Sequence, residues 1–218
     1  MIQDQDATKS QKDMKQKFRR TGPLDAYIYQ TGHNEENIEE SHDNILVHVP
    51  QSLPLPREQN IHHIFTDGAC TNNGKRDANA AWAYIIVADE GYRTIQQGSG
   101  PIPKSQQQTN QRAELQALLK GVEAAETIPG FIKIWSDSQY AINCASVWGP
   151  SWKRKSWKKQ GGEIQHLDLV KQLVEQTTRM GYRLEYKWLK GHKGGDAQYQ
   201  FPWMFNHQVD ALATAALV

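Results

Sequence analysis

Four carboxylates lie where strands or helices are predicted to begin or end. Asp67 follows an apolar run in IHHIFTD, and Asp137 follows a second run in FIKIWSD. Glu114 lies one residue before the apolar stripe of a predicted helix, and Asp210 opens the last predicted helix. Ligand sites of open α/β sheets lie outside the carboxyl ends of the strands. We therefore expect Asp67 and Asp137 to face each other if their strands are neighbours.

Each acid also has a structural explanation when it is taken alone. Asp67 could shape a turn, Asp137 could cap a helix, Glu114 could be solvated, and the charge of Asp210 could favour a helix N-terminus. Converging carboxylates without compensating lysines would repel one another, and a divalent cation would relieve that repulsion. Oxygen ligands suit Mg²⁺ or Mn²⁺, and two such ions about 4 Å apart can assist a phosphodiester displacement.

The elements that must position these acids follow from the apolar pattern. Strands are predicted from IHHIFTD, AAWAYIIVAD, GYRTIQQGSG, FIKIWSD and YRLEYKWLKG, with a tight turn at DEGY. A first helix is predicted over Gln111–Glu126, with Thr109 or Asn110 as its N-cap. Three more helices are predicted from SQYAINCAS, from HLDLVKQLVEQTTRM, which Gly181 ends, and from VDALATAALV. Three hairpin-like strands followed by alternating helices and strands predict an α/β fold, a mixed sheet with helices packed on it.

Composition limits the class of protein. A length of 218 residues suits one domain with an extra segment or two small domains, and a formal net charge of +1 requires any nucleic-acid affinity to come from a local patch. Two cysteines favour reduced thiols over a disulfide framework. No apolar run reaches the roughly 18 to 20 residues of a membrane span, and no secretory or transit signal is evident. We expect an intracellular protein of the cytoplasm or nucleus that enters no membrane.

Residues 1–60 differ in composition from the rest. KSQKDMKQKFRR is basic, HNEENIEESHD is acidic, and VPQSLPLPRE resembles a linker. We expect a polar, largely disordered extension, in which a short strand at NILVHV is possible. KDMKQKFRR could be a localisation signal or a nucleic-acid tether, although a solvated tail is the simpler explanation. The folded domain is predicted over residues 61–218.

Five motifs follow one another in the order TDGACTNNG, TNQRAEL, SDSQY, KGH and NHQVDALA. Together they resemble the type 1 ribonuclease H family, from about Ile64 to Ala216. The resemblance implies a five-stranded mixed sheet with its first three strands antiparallel and helices on both faces. It also implies hydrolysis of the RNA strand of RNA–DNA hybrids with two Mg²⁺ ions, Mn²⁺ being a possible substitute, and products with 5′-phosphate and 3′-hydroxyl ends. A monomer that removes RNA primers or R-loops is the expected form and task.

The resemblance implies roles for individual residues. The family's catalytic, metal-binding carboxylates match Asp67, Glu114, Asp137 and Asp210. His192 in KGHKGG matches the family's mobile histidine, which is thought to help proton transfer or product release, and a histidine titrates near the right pH. A plain loop histidine is the alternative, and His207 is a nearby rival.

A second group of residues matches positions that read the hybrid. A hybrid nuclease must detect the 2′-hydroxyl that distinguishes RNA from DNA, and amide side chains could bond it. The matched residues are Asn73, Thr109, Asn110, Gln139 and Asn206. Thr109 and Asn110 also resemble the family's DNA-phosphate contacts. Amide side chains are also common in turns for conformational reasons alone.

A basic and aromatic segment, SVWGPSWKRKSWKKQGGE, follows the fourth strand. A solvated helix would explain its lysines but not Trp148, Trp152 and Trp157, of which core packing could explain one or two. Basic charge with aromatic faces fits phosphate neutralisation plus stacking. The segment resembles the family's basic protrusion, which grips the DNA strand, so we expect Trp148, Trp152 and Lys153 to bind the hybrid.

Two features depart from the family pattern, and three alternatives stay open. The insert KGGDAQYQFPWMF after His192 is longer than usual, and it could pack on the domain or shift that histidine. Residues 1–60 lack the pattern of the hybrid-binding domain that many eukaryotic members carry. The alternatives are a nuclease of the same fold with another substrate, such as an integrase or junction resolvase, a non-enzymatic nucleic-acid-binding module, and a fragment of a reverse-transcriptase polyprotein. The hybrid-reading residues argue against the first, and the four acids against the second.

Overall fold

A computed structural model describes residues 60–89, 92–191 and 195–217. The possible strand at NILVHV, part of the DEGY turn, and His192 lie outside these residues. The strands are β1 Ile61–Thr71, β2 Asn79–Ala88, β3 Arg93–Pro101, β4 Phe131–Ser136 and β5 Leu184–Trp188. The α-helices are α1 Asn110–Ala125, α2 Gln139–Asn143, α3 Gly149–Arg154, α4 Leu167–Met180 and α5 Trp203–Ala215. A π-helical turn spans Cys144–Trp148, and 3-10 turns span Gly181–Arg183 and Gly195–Tyr199.

The strands form one mixed sheet in the order β3-β2-β1-β4-β5. β1 pairs antiparallel with β2, and β2 with β3, whereas β4 lies parallel to β1 and β5 parallel to β4. The predicted mixed sheet with its first three strands antiparallel is confirmed. The two central strands, β1 and β4, point the same way, so their carboxyl ends lie at the same edge of the sheet.

Alternation along the strands sends apolar side chains to both faces. Ile64 and Ile86 belong to a core shared with α1 and α4. Phe65 and Ile85 belong to a second core that includes Phe205 of α5. Helices therefore cover both faces of the sheet, as the resemblance implied.

Local signals explain where several helices begin and end. Thr109 is the N-cap of α1, and its Oγ1 accepts a hydrogen bond from the Arg112 backbone N–H at 3.2 Å. Ser138 rather than Asp137 caps α2, accepting from the Ala141 N–H at 3.3 Å. α4 ends at Gly181, whose positive φ of 56° favours glycine. The predicted N-cap at Thr109 and helix end at Gly181 are confirmed.

Two predicted positions of acids are wrong. Asp67 lies inside β1 and not at its end, because β1 continues to Thr71 by pairing with β2 after its pairing with β4 has stopped at Phe65. Asp210 lies in the middle of α5 and not at its start, because that helix begins at Trp203. The charge of Asp210 therefore does not act on a helix N-terminus.

The long insert packs on the domain, one of the two possibilities that the sequence left open. Phe201 stacks on Tyr92 at a centroid distance of 4.5 Å and meets the edge of His63 at 4.8 Å. It also lies edge-on to Phe65 and Trp135. The insert is thus fastened to the face of the sheet that α5 covers.

Within the part of the chain that the structure describes, no helix is both long and apolar enough to cross a membrane. Cys70 and Cys144 are free thiols, the second of them buried.

Candidate active site

Asp67 and Glu114 reach the site from β1 and α1. Asp67 lies two residues beyond Phe65, which is the last residue of β1 that pairs with β4. On the side of β4, the backbone of Asp67 is therefore no longer covered by a neighbouring strand. A Cβ atom on Gly68 would overlap the backbone of Ala113 and Glu114, so only glycine lets α1 approach β1 this closely. This close approach buries both carboxyl groups, with 7% of Asp67 and 8% of Glu114 exposed.

Asp137 and Asp210 reach the same place from β4 and α5. Asp137 directly follows the last residue of β4, at the carboxyl end of that parallel strand. Asp210 lies one helical turn after Asn206 on α5, and both line the same cleft. Four separate elements therefore contribute one acid each.

The acids converge in a cleft of about 570 Å³. One carboxylate oxygen from each of Asp67, Glu114 and Asp137 lies within 4.8 Å of the other two. Asp210 lines the cleft with them, and its charge acts on Asp67. Sequence reasoning nominated all four, and the structure brings all four together.

Burial and mutual repulsion shift the acids strongly. Burial first, and then the charges of Asp137 and Asp210, raise the pKa of Asp67 from 3.8 to about 8, although the Gly68 backbone N–H opposes this rise. Burial and then the charge of Asp67 raise the pKa of Glu114 well above its usual range. Without a cation, the cluster therefore retains protons near neutral pH.

The donor set fits a hard divalent cation. All three converging ligands are carboxylate oxygens, which Mg²⁺ and Mn²⁺ prefer. Glu114 Oε2 is buried and has no hydrogen-bond partner among the described residues, and the same holds for Asn206 Oδ1. A buried carboxylate oxygen without a partner is costly, and a bound cation would remove that cost.

Comparison with known proteins decides the family. A profile described as RNase H matches residues 59–218, which is most of the chain. The chain belongs to the RNase H family. By that membership it is a hybrid ribonuclease, an enzyme that degrades the RNA strand of RNA–DNA hybrids. The integrase or resolvase reading and the non-enzymatic reading are therefore set aside.

Similar proteins come from bacteria and from a foamy virus. The chain is 32% identical over 135 residues to ribonuclease H of Thiobacillus denitrificans, covering 62% of this chain and 83% of that protein. It is 32% identical over 161 residues to ribonuclease H of Granulibacter bethesdensis, covering 73% and 93%. The solution structure of the PFV RNase H domain has a TM-score of 0.62 at 23% identity and covers 73% of this chain and 95% of that domain. At this identity the viral structure shows the fold alone.

Of the amide residues that the sequence nominated, two line the cleft and two are connected to residues that do. Asn73 Oδ1 accepts a hydrogen bond from the Asn110 backbone N–H at 3.2 Å, which joins the β1–β2 turn to the start of α1. Asn110 and Asn206 line the cleft. Gln139 is exposed at the start of α2, where its backbone N–H donates to the carbonyl of Asp137 at 3.1 Å.

The basic and aromatic segment is divided between surface and core. Trp148 is 39% exposed, and its ring lies 6.1 Å from that of Trp152. Trp152 and Trp157 pack against the core that the sheet shares with α1 and α4, and Lys171 Nζ lies 5.6 Å from the ring centroid of Trp157. Lys153 is exposed in the last turn of α3. Core packing therefore explains the positions of Trp152 and Trp157, as the sequence allowed. Trp148 lies near Tyr140 and Trp152 but keeps part of its ring exposed.

The two histidine candidates differ in what the structure describes. His207 is exposed on α5 and does not line the cleft, whereas His192 is outside the described residues. Sequence reasoning missed the contributions of Gly68 and Ser138. The signal for Gly68 was present, since a glycine directly after a strand acid indicates a close backbone approach.

Proposed function

We propose that Asp67, Glu114, Asp137 and Asp210 hold two divalent cations, Mg²⁺ or, as a substitute, Mn²⁺, and that the site hydrolyses the RNA strand to 5′-phosphate and 3′-hydroxyl products. The observation that carries the proposal is the convergence of three carboxylates within 4.8 Å, one of them with a buried oxygen that lacks a partner among the described residues. When bound, the cations activate water and stabilise the leaving oxygen.

The acids of this chain have distinct tasks in the proposed mechanism. Asp67 would be the ligand that both cations share, as the resemblance to the family implies. Its raised pKa, and that of Glu114, mean that cation binding releases protons from the cluster. The four carboxylates would hold the cations, which would supply the positive charge that lets a phosphate bind beside this acidic cluster.

Amide side chains near the acids orient the hybrid. Asn73, Asn110 and Gln139 bond the 2′-hydroxyls of the RNA strand. Thr109 and Asn110, at the start of α1, contact a DNA phosphate, a position that the helix N-terminus favours electrostatically. Asn206, which lines the cleft, helps to orient the same part of the hybrid.

The basic and aromatic segment binds the DNA strand at a distance from the acids. Trp148 offers an exposed ring for stacking, with Trp152 against it and Lys153 on the following helix for phosphate neutralisation. We assign to His192 a role in proton transfer or product release, and His207, which is outside the cleft, is the weaker candidate.

The proposal extends to the whole chain. Residues 61–218 act as a monomeric catalytic domain, and residues 1–60 are a polar extension. The cellular substrates are the hybrids of RNA primers or R-loops, met inside the cell.

A cleavage assay tests the proposal. The full chain is incubated with Mg²⁺ and labelled duplexes of one sequence: RNA–DNA hybrid, double-stranded RNA, double-stranded DNA and single-stranded RNA. We expect cutting of the hybrid's RNA strand alone, with 5′-phosphate ends, and loss of cutting in EDTA and in Asp67→Asn. Asp196→Asn, which changes an exposed acid of the insert, is the matched control. An Asp67→Asn protein that cuts at the wild-type rate would overturn the assignment.

A further inference from the structure

The chain segment that follows β5 lies against the carboxylate of Asp137. Leu189 is buried, and its backbone N–H donates to the Ser136 carbonyl at 3.1 Å, which fastens the segment to the end of β4. A Cβ atom on Gly191 would overlap Asp137 Oδ2 and would lie only 3.2 Å from Asp137 Cγ. The backbone of Gly191 therefore forms a wall on one side of this carboxylate.

Two indole groups hold this wall in place. Trp188 Nε1 donates to the backbone carbonyl of Asp137 at 3.0 Å. Trp203 Nε1 donates to the carbonyl of Lys190 at 3.2 Å, the residue directly before Gly191. The segment is thus tied both to Asp137 and to the first turn of α5.

The position of Trp203 is itself fixed by the insert and by α5. Phe201, two residues earlier, is enclosed by the rings of His63, Tyr92 and Trp135. His63 is held in turn, because its Nδ1 accepts a hydrogen bond from Trp135 Nε1 at 3.0 Å while its Nε2 lies 2.9 Å from Asp89 Oδ1. Because Phe201 is packed in this way and lies only two residues before Trp203, the position of the Trp203 indole is restricted.

We propose that Gly191 and Trp203 are positioning residues for Asp137. The absent side chain at Gly191 leaves the space that Asp137 Oδ2 occupies, and the backbone there limits rotation of the carboxylate. Trp203 keeps the backbone at that distance, so the long insert supports the acid cluster instead of forming a separate loop. This inference rests on the proposed function, in which Asp137 is a metal ligand.

Binding of Mn²⁺ to the full chain without hybrid, measured by isothermal titration calorimetry, tests this inference together with steady-state kinetics on the hybrid. Gly191→Ala should weaken Mn²⁺ binding and lower kcat by roughly tenfold or more, since the added methyl displaces a ligand. Trp203→Phe keeps a ring but loses the indole N–H, and we expect an effect of about two- to fivefold, that of one partly solvated hydrogen bond. In both variants KM for the hybrid should stay at the wild-type value. The far-UV circular dichroism and the Tm should also match the wild type, because an unfolded fraction would lower the apparent kcat without changing KM.

Tyr199→Ala is the control, because it changes another aromatic residue of the insert that is 73% exposed. It should bind Mn²⁺ and cut hybrid like the wild type. If the wild type binds no Mn²⁺, the proposed function fails and this inference falls with it. If the wild type binds Mn²⁺ and Trp203→Phe matches it in affinity and kcat, the inference is overturned while the proposed function stands. Trp203→Phe thus decides the matter even if Gly191→Ala fails to fold.

Discussion

Replacing Asp67 with Asn should stabilise the cation-free protein at alkaline pH. The pKa of Asp67 is raised from 3.8 to about 8 in the folded state, by burial and by the charges of Asp137 and Asp210. A raised pKa means that folding is favoured most below pH 3.8, where the carboxyl is protonated in both states, and that this advantage is lost as the pH rises to about 8. Asparagine is neutral at every pH, so the Asp67→Asn protein does not lose this contribution to stability as the pH rises.

The size of the effect follows from the interval between the ordinary pKa of Asp67, 3.8, and its raised pKa of about 8. At about 1.4 kcal/mol per pH unit, the interval corresponds to an upper limit of roughly 6 kcal/mol. Water entering the open cleft and movement of the carboxylates reduce it, and we expect Asp67→Asn to raise the free energy of unfolding by about 2 kcal/mol at pH 8. For a domain of this size that equals a rise in Tm of about 4 to 8 °C.

Thermal and urea unfolding in EDTA at pH 4.5 and pH 8 measures the difference between variant and wild type. The gain should be present at pH 8 and much smaller at pH 4.5. Added Mn²⁺ should then stabilise the wild type but not Asp67→Asn, because binding to the folded state alone raises stability. Asp196→Asn should show no such pH dependence. An Asp67→Asn protein that is no more stable than wild type at pH 8, or equally favoured at both pH values, would refute the electrostatic reasoning.

Three further substitutions test other parts of the structure. Trp148→Ala removes an exposed ring and should weaken hybrid binding by about tenfold in EDTA, measured by fluorescence anisotropy, with little change in Tm. Phe201→Ala removes the anchor of the insert and should lower the free energy of unfolding by about 2 to 3 kcal/mol in urea titrations. Gly68→Ala forces α1 away from β1, which should cost about 1 to 3 kcal/mol. It should also lower kcat, because Glu114 moves with the helix.

Matched controls separate these effects from general damage. Val147→Ala removes a neighbouring exposed apolar side chain without an aromatic face and should bind hybrid normally. Tyr199→Ala should leave stability unchanged, since its side chain is mostly solvent-exposed. Wild-type affinity in Trp148→Ala would show that the Trp148 ring does not contribute to hybrid binding. Wild-type stability in Phe201→Ala would mean that the insert is held by other contacts, and unchanged kcat in Gly68→Ala would contradict the need for close helix approach.

Local and periodic features of the sequence determined most of the fold. Apolar stretches separated by turn residues predicted three hairpin-like strands. The spacing of Leu115, Leu118 and Val122 predicted α1, because burial on one face of a helix is encoded by period alone. Thr109 and Gly181 marked helix ends because capping depends on one or two neighbouring residues. The ordered motifs nominated the four acids before any geometry was known.

The tertiary structure alone decided how those acids are placed. β1 runs past Asp67 because β2 extends its pairing, and α5 begins at Trp203 because the insert that leads into it is anchored on the sheet through Phe201. The raised pKa of Asp67 and the wall that Gly191 forms against Asp137 depend on segments that meet only after folding. Sequence patterns report a residue's neighbours along the chain, whereas burial, repulsion and close backbone approach depend on its neighbours in space.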